Sequence, residues 1–239
     1  MAYDYLGITN DVIARINEVQ LTSTTFGSAR GIQVQCQNAV NDAIGHINAR
    51  EFTWPFNHST QTETLVAGTS RYSIPSTAKY VDYDTFRITK DSSLGSAGGG
   101  LYKMDYKEYV DKHIDQEDDA TVAGGVPTHI VRTPDNNYLL YPYPDAAYEL
   151  KYEAYLNTTR LSAATDVPDI PEQYRHVITD GATAYVYQYR GEEVQFDLNW
   201  GRFEEGINHM QNQLINRDDY LRSYQIVRPY GSQGYLRTN

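Results

Sequence analysis

The sequence predicts an α+β fold. Helical apolar spacing occupies both ends of the chain, and an alternating strand-like pattern fills the middle. The period changes near Thr60 and changes back after Thr158. The expected architecture is an antiparallel four-helix bundle with a β-rich, sandwich or barrel-like module inserted between its second and third helices, plus an extended C-terminal arm. The boundaries place the bundle at 1–50 and 166–217, the β module at 51–165 and the arm at 218–239.

The first helix is expected from Thr9 or Asn10, as N-cap, to Glu18 or Gln20, with Val12, Ile13, Ile16 and Val19 on its apolar face. The second is expected from Ala29, capped by Ser28, to about Ala49. Ile32, Cys36, Ala39, Val40, Ala43, Ile44 and Ile47 form an Ala-rich face that a neighbouring helix can approach closely. Pro55 ends the pattern, because proline lacks the amide a helix needs. Trp54 and Phe56 read as an aromatic plug at a junction.

About seven short strands are expected next. They include Arg71–Pro75, Tyr80–Ile88, Leu101–Met104 and a hairpin of Thr128–Arg132 with Tyr138–Tyr141. Ala147–Leu156 is expected to be the longest strand, with Tyr148, Leu150, Tyr152, Ala154 and Leu156 on one side. Ser92–Gly100 reads as a loop or hairpin tip, Asp105–His113 as a short helix, and Asp115–Asp119 as a solvated acidic loop.

Pro171 suits the first position of a third helix, whose face would be Tyr174, Ile178, Ala182, Tyr185 and Tyr189. Gly191 stops it, and a fourth helix follows at once over Glu192–Arg217. Phe196, Trp200, Phe203, Ile207, Met210 and Leu214 step by four and three along it, the spacing of a scaffold core. Asn199, Arg202, Glu205 and Gln213 fall on its other face, the expected place for neighbouring subunits. The tail Leu221–Asn239 has arginines and no acid, and its spaced tyrosines suit an arm that orders on a partner.

The chain carries 22 Tyr against 6 Phe, with a mean hydropathy of −0.60. Tyrosine suits surfaces that are part buried and part wet, so extensive interfaces are expected; strand propensity is the competing explanation. A net charge of −11 argues against tight non-specific DNA wrapping, which needs clustered cations. It fits a wall that DNA slides past. The single cysteine, Cys36, excludes an intrachain disulfide framework. No membrane span and no signal peptide are read, so synthesis inside a cell is expected. No phosphate loop, nucleophile elbow or zinc spacing occurs among these residues, and no cofactor or metal is expected. The six histidines are read as packing or surface groups, and the Asp82/Asp84 pair has no signature beyond proximity.

The run Pro171-Glu-Gln-Tyr-Arg-His-Val-Ile-Thr-Asp-Gly-Ala, with Arg202-Phe-Glu-Glu-Gly-Ile and Leu214-Ile-Asn-Arg-Asp, resembles head-to-tail adaptor proteins of tailed bacteriophages. These are also called tail-completion or tubular proteins, especially in short-tailed phages. The Glu51–Phe56 stretch before a strand-rich segment resembles them too. The resemblance implies a structural, non-enzymatic virion protein that forms a dodecameric ring at the head–tail junction. Its implied partners are copies of itself, the portal protein and a downstream tail or nozzle protein, with double-stranded DNA passing transiently. It further implies that a C-terminal extension reaches the portal, and Arg222, Tyr224, Arg228, Tyr230 and Tyr235 of the arm are the residues expected to make that contact. Two other readings compete: a Tyr-rich module that binds carbohydrate or a receptor, and a hydrolase that uses an Asp pair.

Overall fold

The computed structural model describes residues 2–93, 96–114 and 124–215. Five α-helices lie among them: α1 (Tyr5–Arg15), α2 (Ile32–Arg50), α3 (Tyr106–His113), α4 (Arg175–Arg190) and α5 (Glu193–Leu214). Eight strands accompany them: β1 (His58–Thr64), β2 (Arg71–Tyr72), β3 (Ala78–Ile88), β4 (Gly99–Gly100), β5 (Tyr102–Met104), β6 (His129–Arg132), β7 (Tyr138–Tyr141) and β8 (Glu149–Leu156).

The α+β class holds, but the four-helix bundle with one inserted module does not. The helices do not ring a shared axis; α4 occupies the axis, with α1, α2 and α5 packed against it. The reason lies in the circumference of α4. Val177, Ile178, Thr179, Gly181, Ala182, Thr183, Ala184 and Val186 are all buried, which covers far more than one stripe. Tyr189, expected on its buried face, is instead 65% exposed. The strand-rich stretch is two four-stranded sheets over a shared core and carries a helix of its own, α3, rather than strands alone. Sheet A runs β1-β8-β3-β4 and is antiparallel throughout. Sheet B runs β2-β7-β6-β5 and is mixed, because β5 pairs with β6 in parallel. The longest strand is β3, not the β8 segment.

Close approach between α4 and α5 depends on two glycines. A Cβ on Gly181 would lie 2.6 Å from the Phe203 ring, and one on Gly206 would lie 2.8 Å from Val177. Away from this contact, the buried hydroxyls of Thr179 and Thr183 donate back to the carbonyls of Arg175 (2.8 Å) and Thr179 (2.6 Å), so neither is stranded in the interior. Gly191 turns the chain from α4 to α5 with φ +76°, the left-handed conformation favoured at a helix C-terminus.

The helix starts differ from expectation because other residues take the caps. Asp4 accepts the Gly7 amide at 2.7 Å and opens α1. The next free amides, of Tyr5 and Leu6, donate to the carbonyls of Asp166 (2.8 Å) and Ala164 (3.0 Å) in the returning chain. Asn10, expected as a cap, is buried inside α1. Its amide group donates to the Leu21 carbonyl and accepts the Leu21 amide, both at 2.8 Å. Asn41 on α2 does the same for Leu161, accepting its amide at 2.8 Å and donating to its carbonyl at 3.1 Å. Each side chain imitates a strand neighbour and straps a non-helical segment to the core. Ser28 does not cap α2; it donates to the Thr25 carbonyl, and Gly31 (φ +56°) precedes the helix.

The helical core runs from Ile8, Val12 and Ile13 through Cys36, Val40 and Ile47 to Ile178, Phe203 and Ile207. The two sheets share a second core of Phe86, Tyr138, Leu140, Leu150 and Tyr152. The α3 helix covers the other side of sheet B, where Tyr109 packs on Val131 and Leu139. Trp54 is fully buried where the helices meet the sheets; its Nε1 donates to the Ile47 carbonyl at 2.8 Å, and its ring stacks on Phe56. Lys79 of β3 closes the same junction. Its ammonium donates to the carbonyls of Asn48 and Glu51 and to Asn48 Oδ1.

Two substitutions test this packing. Gly181→Ala is expected to destabilise the fold by about 1–3 kcal/mol, the cost of forcing a methyl group against a packed ring. Asn41→Ala is expected to cost about 1–3 kcal/mol for each backbone group it strands at Leu161. Chemical denaturation of the purified variants measures both.

Candidate functional site

The expected scaffold stripe on α5 divides by depth. Phe203, Ile207 and Met210 are fully buried, while Trp200 and Leu214 are half-buried against the same core. Phe196 lies at the rim, stacked on Trp200 at 5.6 Å. Trp200 meets His46 and Tyr185 edge-on, at 5.2 and 5.8 Å. Glu204 pairs with Arg50 at 3.0 Å and approaches His46 at 3.6 Å, which ties the C-terminal half of α2 to the middle of α5. On the opposite face Arg202 and Glu205 are exposed. Asn199 is not; it is buried and donates to the Gln195 carbonyl at 2.7 Å. Gln213 accepts the Tyr174 hydroxyl at 2.9 Å. The five arm residues Arg222, Tyr224, Arg228, Tyr230 and Tyr235 lie outside the described residues, as does the acidic run Asp115–Asp119.

Two surfaces combine exposed apolar groups with charged ones; Arg190, at the end of α4, is paired with Glu18 and Glu192. The first is the ridge where α4 gives way to α5. Tyr189, Val194 and Leu198 are exposed there, Val194 at 80%, beside Glu192, Glu193 and Asp197. The second is a cleft of about 300 Å³ at the foot of α2, lined by Phe52, Lys79, Tyr80, Tyr83, Arg132 and Asn136 among others. Phe52 is 60% exposed and Tyr80 is 43% exposed. Sequence reasoning missed both. The ridge was legible, because Val194 and Leu198 stand four apart and off the core stripe. The cleft was not, because Phe52, Tyr80 and Arg132 are far apart in the chain and meet only in the fold.

The SU10 adaptor protein family matches residues 3–229. The chain belongs to this family. No curated protein matches it. Membership over nearly the whole chain makes the protein a structural adaptor of a bacteriophage and a component of the virion.

The chemistry-bearing residues of the adaptor serve its architecture. Asp82 and Asp84 sit where β3 departs from regular register; Asp82 accepts the Asp84 amide at 3.0 Å, and Asp84 pairs with Lys103 at 2.7 Å. Glu153 on the outer face of sheet A gathers Thr60 (2.6 Å), His58 (3.0 Å) and Arg87 (3.2 Å). Its carboxyl is held below the usual range, chiefly by the Thr60 hydrogen bond. Among the described residues no group of three or more His, Cys, Asp or Glu could hold a metal ion. Among them no helix is long and apolar enough to cross a membrane.

The tyrosines correct the interface reading in part. Tyr72, Tyr138, Tyr148 and Tyr152 are buried between the sheets, where Tyr72 stacks on Tyr138 and Phe86 on Tyr152. Tyr138 donates its hydroxyl to Glu63. Tyr80, Tyr102 and Tyr189 keep substantial exposure.

Burial gives the adaptor a defined alkaline limit. It pushes Tyr5 and Tyr152 from 10.0 up to about 12, and the Cys36 thiol from 9.0 up to about 11. Burial, and then the Glu63 hydrogen bond, push Tyr138 further in the same direction. The folded state therefore holds these protons more tightly than the unfolded state. The stability they contribute is fully present below about pH 9–10 and is lost as pH rises towards 12. In an ultraviolet phenolate titration, exposed tyrosines should ionise first and the buried set only together with unfolding.

Proposed function

We propose that the adaptor assembles with copies of itself into a ring, dodecameric as in the proteins it resembles, that joins the capsid portal to the next tail or nozzle protein and surrounds the path of the DNA. The family match over residues 3–229 carries this reading. The two exposed surfaces support self-assembly, because contiguous exposed apolar groups beside charges mark contact sites. The arm, with Arg222, Tyr224, Arg228, Tyr230 and Tyr235, is the proposed portal contact. Arginine and tyrosine combine planar hydrogen bonding with apolar area and dominate protein interfaces. A net charge of −11 favours passage of DNA without adhesion.

Native mass measurement of the full-length adaptor, alone and with its cognate portal protein, tests the reading. A multimer seated on the portal is expected; a chain that stays monomeric under both conditions would overturn the ring. A truncation lacking Leu221–Asn239 should remain folded by circular dichroism. It should dock at least about tenfold more weakly, since losing hot-spot anchors costs on the order of 2 kcal/mol. Undiminished docking by that truncation would remove the portal role from the arm.

A further inference from the structure

The ridge and the cleft are complementary in both shape and charge. The ridge is convex helix surface, with Val194 and Leu198 one turn apart and Glu193 and Asp197 beside them. All four are exposed, and among the described residues neither acid lies within salt-bridge distance of a cation. The cleft is concave, offers the exposed rings of Phe52 and Tyr80, and carries two cations and no acid in its lining. Neither cation is ion-paired among the described residues. Lys79 spends its donors on the neutral acceptors of Asn48 and Glu51, and burial lowers its pKa, so Arg132 is the cation open to a partner. Arg132 donates to Asn136 Oδ1 at 2.6 Å and lies over the Tyr83 ring, which leaves guanidinium N–H groups for an incoming carboxylate. Asp135, on the adjoining turn, is held ionised by Thr133 and Asn137 but is not part of the cleft lining. In a chain of net charge −11, a cleft with cations and no acid in its lining suits an acidic, apolar segment.

The ridge cannot fill the cleft of its own molecule. Glu204, beside Arg50 at the foot of α2, is ten residues along α5 from Val194, so helix rise alone separates the ridge from that end by about 15 Å. We propose that the Val194/Leu198 ridge of one copy seats in the Phe52/Tyr80/Arg132 cleft of a second copy of this chain. Two different patches then meet, which is a head-to-tail contact, the kind that propagates and closes into a ring when the rotation permits. The inference rests on the ring reading above and names the faces that would form it.

Charge reversal in the full-length chain tests the pairing, with native mass as readout at low and high salt, alone and on the cognate portal. Arg132→Glu and Asp197→Arg should each weaken assembly by about tenfold or more, the worth of one desolvated charge pair. The double variant should recover most of the loss. A chain carrying Tyr80→Cys and Leu198→Cys should form a disulfide ladder of multimers under oxidation, while buried Cys36 stays out of reach. If multimers form normally with either reversal, or if the reversals are harmful together and no ladder appears, the pairing is overturned and the ring stands on other faces. If the unmodified chain never assembles, the ring reading and the pairing fail together.

Discussion

The fold depends on how closely three helices can approach α4. A helix packed on three sides cannot carry large side chains all round, and α4 answers with Gly181, Ala182, Thr183 and Ala184 in succession. Phe203 fills the space that Gly181 leaves open, and Gly206 admits Val177 in return. That exchange sets where α5 lies, and hence which of its residues face outward. The other helical contacts are secured by polar straps at the rim: Arg175 to Asp11 at 2.6 Å, Arg190 to Glu18 at 2.8 Å, and Arg50 to Glu204. Partly exposed ion pairs of this kind contribute little energy singly. They fix the rotation of helices whose apolar contact alone would tolerate sliding.

The parts of this arrangement visible in the sequence were those with a strong period or a single cause. The step of four and three from Phe196 to Leu214 marks a long helix, and Gly191 marks the turn before it, because no other common residue takes that conformation cheaply. The Thr128–Arg132 and Tyr138–Tyr141 runs are short, apolar and rich in strand-favouring residues, and they pair antiparallel as read. The bundle was misjudged because α4 is buried by small residues, whose hydropathy is too weak to show a wide buried face. The start of α1 was misjudged because Asn10 looks like a cap, and only the fold shows it strapping Leu21. The parallel pairing of β5 with β6 leaves no local trace, since strand direction depends on the path between them. The abundance of tyrosine was read towards the surface, yet much of it fills the space between the sheets. A phenol buries nearly as much apolar area as phenylalanine when its hydroxyl finds an acceptor such as Glu63.

Glu153, Asp84 and Glu204 are all engaged in local pairs on sheet or helix surfaces. Two places on the surface, one mainly acidic and one basic, combine charge with exposed apolar groups. Surface of that kind is costly in an isolated molecule and useful in a repeating one.

The chain leaves the helices once, through Glu51–Asn57, and returns once, through 157–170. The first crossing is latched by Lys79 and Trp54, and the second by Asn41 and by the Asp166 and Ala164 carbonyls that accept from α1. A body held by one strand of chain can swivel about it. A body held by two separated and anchored crossings cannot turn without loading both, so torque applied to the sheets passes into the helices as strain along α1 and α2. Such double attachment ties the sheets to the helices at two separate points.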